Sequence, residues 1–390
     1  MDDPVFWKEP DEPVQTPPGL ADPQPLFSCT SNVSSRITTN METRVLIDLL
    51  LICAATGLSV EEKSYNNDIF TSMDYAIFKK TIAYVYDDNE NLVELTLDDD
   101  VESLDETQID IANRVLFFLY MKNNPTIPKI LYINDKDVLK NSGFDPTKPT
   151  RFIIHGWMNS RSSSACLLIR DAYVTNEDCN VIVVDWSKIS MRPYIWASKR
   201  VSMVGQFIST MIDFLEEQGM NLSKTILIGH SLGAHVAGIA ARNAQNEISF
   251  VVGLDPALPG FYSAGSGSRI SSGDAQYVEI IHTNGGLLGF LTAIGDSDFY
   301  PNGGQKQVGC LLDIGGACSH ARSFKFFAES ISSQLGFHGR SCNNFIQFKR
   351  GLCNDRPTSL MGHKSQLHAR GNYYLLTNSK FPFANGPILT

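Results

Sequence analysis

Between residues 115 and 281 the chain repeatedly gathers short runs dominated by apolar residues: 115–120, 152–154, 181–184, 225–228, 250–254 and 277–281. A strand with one wet face alternates apolar and polar side chains, whereas these runs are apolar at successive positions. That pattern suits strands buried on both faces of a parallel sheet. Helical periods lie between them. The clearest places Val201, Val204, Phe207, Ile208, Met211, Ile212 and Leu215 at i, i+3, i+4, i+7 spacing and stops at Gly219. Segments 234–241 and 324–331 also read as helices. The alternation predicts an α/β architecture, a mostly parallel central sheet with helices on both faces and right-handed crossovers. No internal repeat is visible, and 115–390 reads as one catalytic-type domain.

The first 114 residues have a different texture. No apolar run reaches the ~20 residues of a membrane-spanning helix. From Met41, however, Arg44 is followed by an apolar stretch at 45–55, interrupted by Asp48, and by the small residues Ala54, Ala55, Gly57 and Ser59. This is the layout of a secretory signal peptide over 41–59; a short buried helix is the alternative. Such signals are read at a chain start. The expectation is therefore that translation begins at Met41, with residues 1–40 an upstream extension or an artefact of the gene model. Seven of the 18 prolines fall in residues 1–25, as in a segment that packs against nothing.

Charge sharpens that division. The chain is 43% hydrophobic and 19% charged, which excludes a wholly disordered protein. Residues 1–114 hold 23 Asp/Glu against 7 Lys/Arg, a balance of −16 within a total of −10, so residues 115–390 carry +6. Residues 60–114 read as an acidic N-terminal arm or propeptide before a mildly basic body. A basic body favours anionic lipid surfaces, an attraction that an acidic arm would oppose. Nucleic acid is not an expected partner.

Six of the eight cysteines lie beyond the signal segment: Cys166, Cys179, Cys310, Cys318, Cys342 and Cys353. An even set behind a signal reads as three disulfides, with 15 possible connectivities. Proximity suggests 310–318, 342–353 and 166–179. No Cys-x-x-Cys pair supports a metal site instead. Asn221-Leu222-Ser223 is a glycosylation sequon between two periodic segments, where a surface loop belongs.

Gly229-His230-Ser231-Leu232-Gly233 follows a strand and precedes a helix, the context of a nucleophile elbow. The serine sits on a strained turn, where side chains at 229 and 233 would collide with backbone. Its hydroxyl needs a base, and the base needs an orienting carboxylate. Asp255 ends the next strand and fits the acid; a turn-starting Asp before Pro256 is the plainer alternative. Five histidines follow: His282, His320, His338, His363 and His368. His282 reads as a structural hydrogen-bonder at a strand end. His320, in a loop tethered by cysteine and opening a helix, fits the base. His230 and His235 are expected to face elsewhere. Oxyanion donors fall on the backbone N–H groups of Leu232 and of Trp157, the latter after Gly156 at the end of another strand.

The motifs I-I-H-G-W (153–157), V-V-D-W (183–186), G-H-S-L-G-A-H (229–235), G-L-D-P-A (253–257), D-F-Y-P-N-G-G (298–304) and C-S-H-A-R-S (318–323) together resemble the animal pancreatic lipase superfamily. The resemblance covers roughly residues 115–385. It implies the α/β-hydrolase fold, a triad of Ser231, Asp255 and His320, and an oxyanion hole from Trp157 and Leu232. The family's lid lies between cysteines matching Cys310 and Cys318, here only seven residues apart at 311–317. The loop 284–297 is also short. Both features resemble the short-lid phospholipase A1-like branch of insect and venom type, and no β-sandwich tail follows 371–375. Ser266 and Ser271 stand where calcium-binding relatives keep carboxylates, although Arg269 and Asp274 match, so neither a tight calcium site nor any cofactor is expected.

The leading expectation is a secreted serine carboxylester hydrolase, a phospholipase A1 releasing the sn-1 fatty acid through an acyl-enzyme. Galactolipids or triacylglycerols are alternative substrates, presented at a membrane, micelle or lipoprotein surface. A non-catalytic lipid-binding or yolk-type storage protein is the alternative from another class. The expected enzyme is a monomer that needs no colipase-type partner.

Overall fold

Among the described residues, eleven strands share one sheet. The computed structural model describes residues 82–97 and 110–388, so the expected signal segment at 41–59 and residues 1–40 lie outside the described residues. In chain order the strands are β1 (Ala83–Tyr86), β2 (Leu92–Leu95), β3 (Leu116–Met121), β4 (Asn124–Leu131), β5 (Thr150–Ile154), β6 (Asn180–Asp185) and β7 (Thr225–His230). They continue with β8 (Phe250–Leu254), β9 (Val278–Ile281), β10 (Ser297–Pro301), β11 (His338–Ser341), β12 (Thr358–Leu360) and β13 (Gly371–Leu375). The sheet order is β12-β11-β13-β10-β9-β8-β7-β5-β6-β3-β4. The seven adjacent strands from β13 to β6 are mutually parallel, while β3 and β11 join antiparallel at either side. This is the expected α/β-hydrolase architecture.

Four longer helices cover the sheet: α1 (Ser164–Asn176), α2 (Val201–Glu217), α3 (Leu232–Asn243) and α4 (Ala317–Ser332). The double-sided burial read from the sequence is literal. Phe152, Ile154, Leu227 and Val251 pack with Val204, Ile208, Met211 and Ile212 of α2 on one face. Their neighbours Ile153, Ile226, Ile228 and Val252 pack with Ile169 and Tyr173 of α1 and Phe324, Phe327 and Ile331 of α4 on the other. Alternate residues of each strand thus serve opposite cores, as a two-residue period requires. From β5 the chain moves to β6 on one side and then to β7 on the other. The carboxyl ends of β5 and β7 therefore flank a topological switch point, where open α/β sheets bind ligands.

The arm expected at 60–114 is divided by the structure, and the body starts earlier than residue 115. β1 and β2 form an antiparallel hairpin, and its Ala83, Val85, Leu95 and Leu97 are buried in the same core as α2 and α3. Asn159 Nδ2 donates to the Tyr86 carbonyl at 3.0 Å and the Ser160 amide to Asp88 Oδ1 at 2.9 Å. Acidity in this stretch hides the apolar alternation Ala83, Val85 and Leu95, Leu97 that seats the hairpin. The densest acidic run, 98–109, lies outside the described residues.

Candidate active site

β7 ends in a turn that leaves Ser231 at φ 57° and ψ −123° before α3 begins at Leu232. A left-handed serine costs conformational energy and is held only by its surroundings. The surroundings here are backbone against backbone. A Cβ on Gly229 would enter the Gly233 carbonyl, and one on Gly233 would enter the carbonyls of Ile154 and His155. Both glycines are therefore required by close approach, as the sequence motif implied. The Ser231 amide donates to the Leu254 carbonyl at 3.0 Å, tying the elbow to the end of β8.

Asp255 follows β8, fully buried, also at positive φ (46°). Its Oδ1 accepts from the amides of Thr283 (2.8 Å) and Asn284 (3.0 Å), and its Oδ2 accepts from His320 Nδ1 at 2.6 Å. His320 lies in the first turn of α4, two residues beyond the Cys310–Cys318 disulfide. With Nδ1 engaged, its buried Nε2 has no hydrogen-bond partner. Ser231, His320 and Trp157 line one cavity of about 290 Å³. The amide of Leu232, as the first residue of α3, has no intrahelical carbonyl to bond. Among the described residues the Trp157 amide likewise has no acceptor, while its indole Nε1 donates to the Arg192 carbonyl at 2.7 Å. Five residues selected from the sequence, in four separate segments, thus meet at the carboxyl edge of the sheet.

Two sequence expectations need correction. His230 does not face away: its ring centroid lies 4.5 Å from that of His320 and it borders the same cavity. Burial, and then the neighbouring His320, holds the His230 imidazole well below the ordinary histidine range, so a neutral ring backs the base. His235 does pack elsewhere, with Nε2 2.7 Å from the Ala257 carbonyl. The second correction concerns the cysteines. Cys310–Cys318 and Cys342–Cys353 are disulfides, but Cys166 and Cys179 are buried free thiols. Cys166 is in the first turn of α1 and Cys179 lies beyond its end, so the rest of the helix holds them about 15 Å apart. A disulfide tolerates less than half that Cα separation. Burial pushes both thiols up to about 12, which leaves them unreactive.

Several further groups surround the site. His282 was assigned a structural part, and its Nε2 meets Asp298 at 2.8 Å while Nδ1 meets the Phe290 carbonyl at 2.6 Å. These bonds brace the loop that presents the Thr283 and Asn284 amides to Asp255. The hairpin adds Val85, Tyr86, Asp87 and Glu90 to the cavity wall. His155, the residue before Gly156, is wholly buried between the ends of β5 and β6. Its presence in I-I-H-G-W was the only signal available. In the segment weighed for calcium, Asp274 pairs with Arg242 and accepts from the Ser271 amide at 2.8 Å. Burial raises the Asp274 carboxyl to about 6. Asn221 is exposed at the start of a short turn, with its Oδ1 accepting from the Ser223 amide at 2.9 Å.

Comparison with known proteins agrees with this architecture. The model of the family described as "Lipase" matches residues 80–383, a span that includes the hairpin. Pancreatic triacylglycerol lipase of Cavia porcellus is 34% identical over 306 residues, covering 70% of this chain and 65% of that protein. The Myocastor coypus protein of the same name is 34% identical over 260 residues, covering 61% of this chain and 57% of its own length. Inactive pancreatic lipase-related protein 1 of Homo sapiens is 36% identical over 273 residues, covering 63% and 58%. The chain thus spans less than two thirds of the length of these relatives.

Proposed function

This chain belongs to the lipase family, and from that premise we propose that it hydrolyses acyl esters of glycerolipids through an acyl-enzyme on Ser231. A relative named inactive is as similar as those named triacylglycerol lipase, so the reading rests on site geometry. The observation that carries it is the Asp255–His320 contact of 2.6 Å, which leaves His320 Nε2 bare in the cavity that Ser231 lines. His320 Nε2 takes the hydroxyl proton as Ser231 Oγ attacks the ester carbonyl. The Leu232 and Trp157 amides receive the developing oxyanion, and Asp255 stabilises the imidazolium. His320 then protonates the departing glycerol oxygen. A water molecule, deprotonated by the same nitrogen, releases the fatty acid.

Triacylglycerol is the substrate class that the named relatives favour. This reverses the order expected from sequence, which put phospholipase A1 first. That second reading keeps one specific support: the loop between Cys310 and Cys318 holds only seven residues, 311–317, which provides little apolar cover for the cavity. Its Leu311 and Leu312 project almost wholly into solvent, at 95% and 87% exposure. Apolar side chains so placed beside the cavity suit contact with a lipid surface. Two disulfides suit an oxidising, extracellular compartment, where the exposed Asn221 sequon would carry a glycan.

The test is release of fatty acid from triolein and from phosphatidylcholine by the intact protein and by Ser231→Ala. Faster triolein turnover supports the first substrate, and faster phosphatidylcholine cleavage at sn-1 supports the second. Undiminished activity in Ser231→Ala would overturn the mechanism for both.

A further inference from the structure

We propose that His155 is a positioning residue that aims the Trp157 amide into the oxyanion hole. The proposal rests on the hydrolytic reading above and concerns how one of its donors is held. His155 is wholly buried, with its ring 5.6 Å from and nearly parallel to that of Trp186. Trp186 follows β6, so the ring bridges the ends of two neighbouring strands. The Trp186 backbone N–H points at His155 Nε2 from 3.1 Å. An amide can only donate, so Nε2 presents its lone pair and the ring proton resides on Nδ1. Asp185 Oδ1 lies farther from Nε2, at 3.6 Å against 3.1 Å for the Trp186 nitrogen, so the shorter contact sets the tautomer.

Nδ1–H lies 3.0 Å from the carbonyl oxygen of Gly156. That carbonyl belongs to the peptide whose nitrogen is Trp157 N. In a planar trans peptide the C=O and N–H point in opposite directions. Fastening the Gly156 oxygen to the imidazole therefore sends the Trp157 N–H the other way. Gly156 itself abuts the nucleophile, since a Cβ there would stand 2.8 Å from Ser231 Cβ. The residues around the peptide are also fixed. The Trp186 indole donates to the His155 carbonyl at 2.9 Å, the Trp157 indole donates to the Arg192 carbonyl, and the Met158 amide bonds Ser190 O at 3.0 Å. Within this clamp the Trp157 amide has no acceptor among the described residues. Without the Nδ1–H bond the peptide plane could rotate, and Gly156 offers little steric resistance.

Oxyanion-hole geometry has its own readout. A thiono ester develops charge on a larger, more weakly hydrogen-bonding sulfur, so a well-aimed hole favours the oxygen ester over its thiono analogue. The experiment measures kcat and KM of the full chain on a soluble oxo ester and the matching thiono ester. His155→Phe fills the ring volume without a donor; it is expected to lose roughly 10²-fold in kcat with little change in KM. Its oxo/thiono ratio should fall in parallel. His155→Asn keeps an N–H near the Nδ1 position and is expected to restore most of both. His155→Gln places its amide near Nε2 instead and should behave as the Phe variant does. A folded His155→Phe with kcat within twofold of the parent and an unchanged ratio overturns the proposal. If that variant fails to fold, Asn and Gln variants with equal ratios overturn it. Failure of the hydrolytic reading would be visible separately, as intact protein inert towards both esters or unaffected by Ser231→Ala.

Discussion

Gly289 faces Asp255 so closely that a Cβ on residue 289 would overlap both carboxylate oxygens. The loop carrying Gly289 also carries Thr283 and Asn284, whose amides hold Asp255 Oδ1. Loop and carboxylate are therefore fitted to each other. Gly289 is buried between the core residues Leu288 and Phe290, but the atoms nearest an added Cβ all belong to the Asp255 carboxylate, so Gly289→Ala should strain that side chain before it strains the core. It should move the Asp255 carboxylate away from His320. A displacement near 1 Å is worth about 10²-fold in rate, so kcat on a short-chain ester should fall by that order with an unchanged circular dichroism spectrum. Retained kcat would show that Asp255 does not need this seat.

The hairpin makes a prediction about where the folded body begins. Val85, Leu95 and Leu97 are buried in the core that α2 and α3 also enter, with β1 packed against α4, and burying such side chains contributes about 1.5–3 kcal/mol each. A chain that starts at residue 115 loses all of them together with one wall of the cavity. It is expected to be insoluble or to melt far below a chain that starts at residue 80. Equal melting temperatures for the two would restore the boundary expected from sequence.

Cysteine pairing is checked by mass spectrometry. Denatured but unreduced protein, treated with iodoacetamide, should carry the label on peptides containing Cys166 and Cys179. Peptides containing Cys310, Cys318, Cys342 and Cys353 should take it only after reduction. Opening the short Cys310–Cys318 loop by a Cys310→Ala/Cys318→Ala double substitution should cost about 2–3 kcal/mol of stability, measured by urea unfolding.

Glu279 gives the pH dependence. It sits wholly buried in β9, with Oε1 accepting from the Gly362 amide at 2.6 Å and Oε2 unpartnered. Burial raises its carboxyl from 4.5 to about 8. The folded state then binds this proton more tightly than the unfolded chain, and between these two values the unfolded state releases it first. The stabilising contribution is present below pH 4.5 and is lost as pH rises to about 8, on the order of 5 kcal/mol in all. Glu279→Gln should flatten this part of the stability curve between pH 5 and 8. A variant with the slope of the parent would show that Glu279 ionises normally.

The sequence by itself determined six contiguous strands of the sheet, β3 and β5 to β9, and the candidate site residues that gather at their ends. Runs such as 225–228 and 250–254 could only be strands buried on both faces, because no aqueous face tolerates them. Gly229 and Gly233 announced the elbow, since only glycine permits backbone contact at both places. Strand order, pairing of Cys166 and Cys179, and orientation of His230 were decided in three dimensions. Each depends on distances across the fold that local patterning does not encode: the rise of a helix separates two cysteines that are close in sequence. The acidic hairpin is the clearest case. Its charge suggested a detached arm, yet four apolar side chains on alternate positions are buried in the main core, with β1 packed against α4. Whether such a face is buried depends on the surface opposite, and only the tertiary structure supplies that surface.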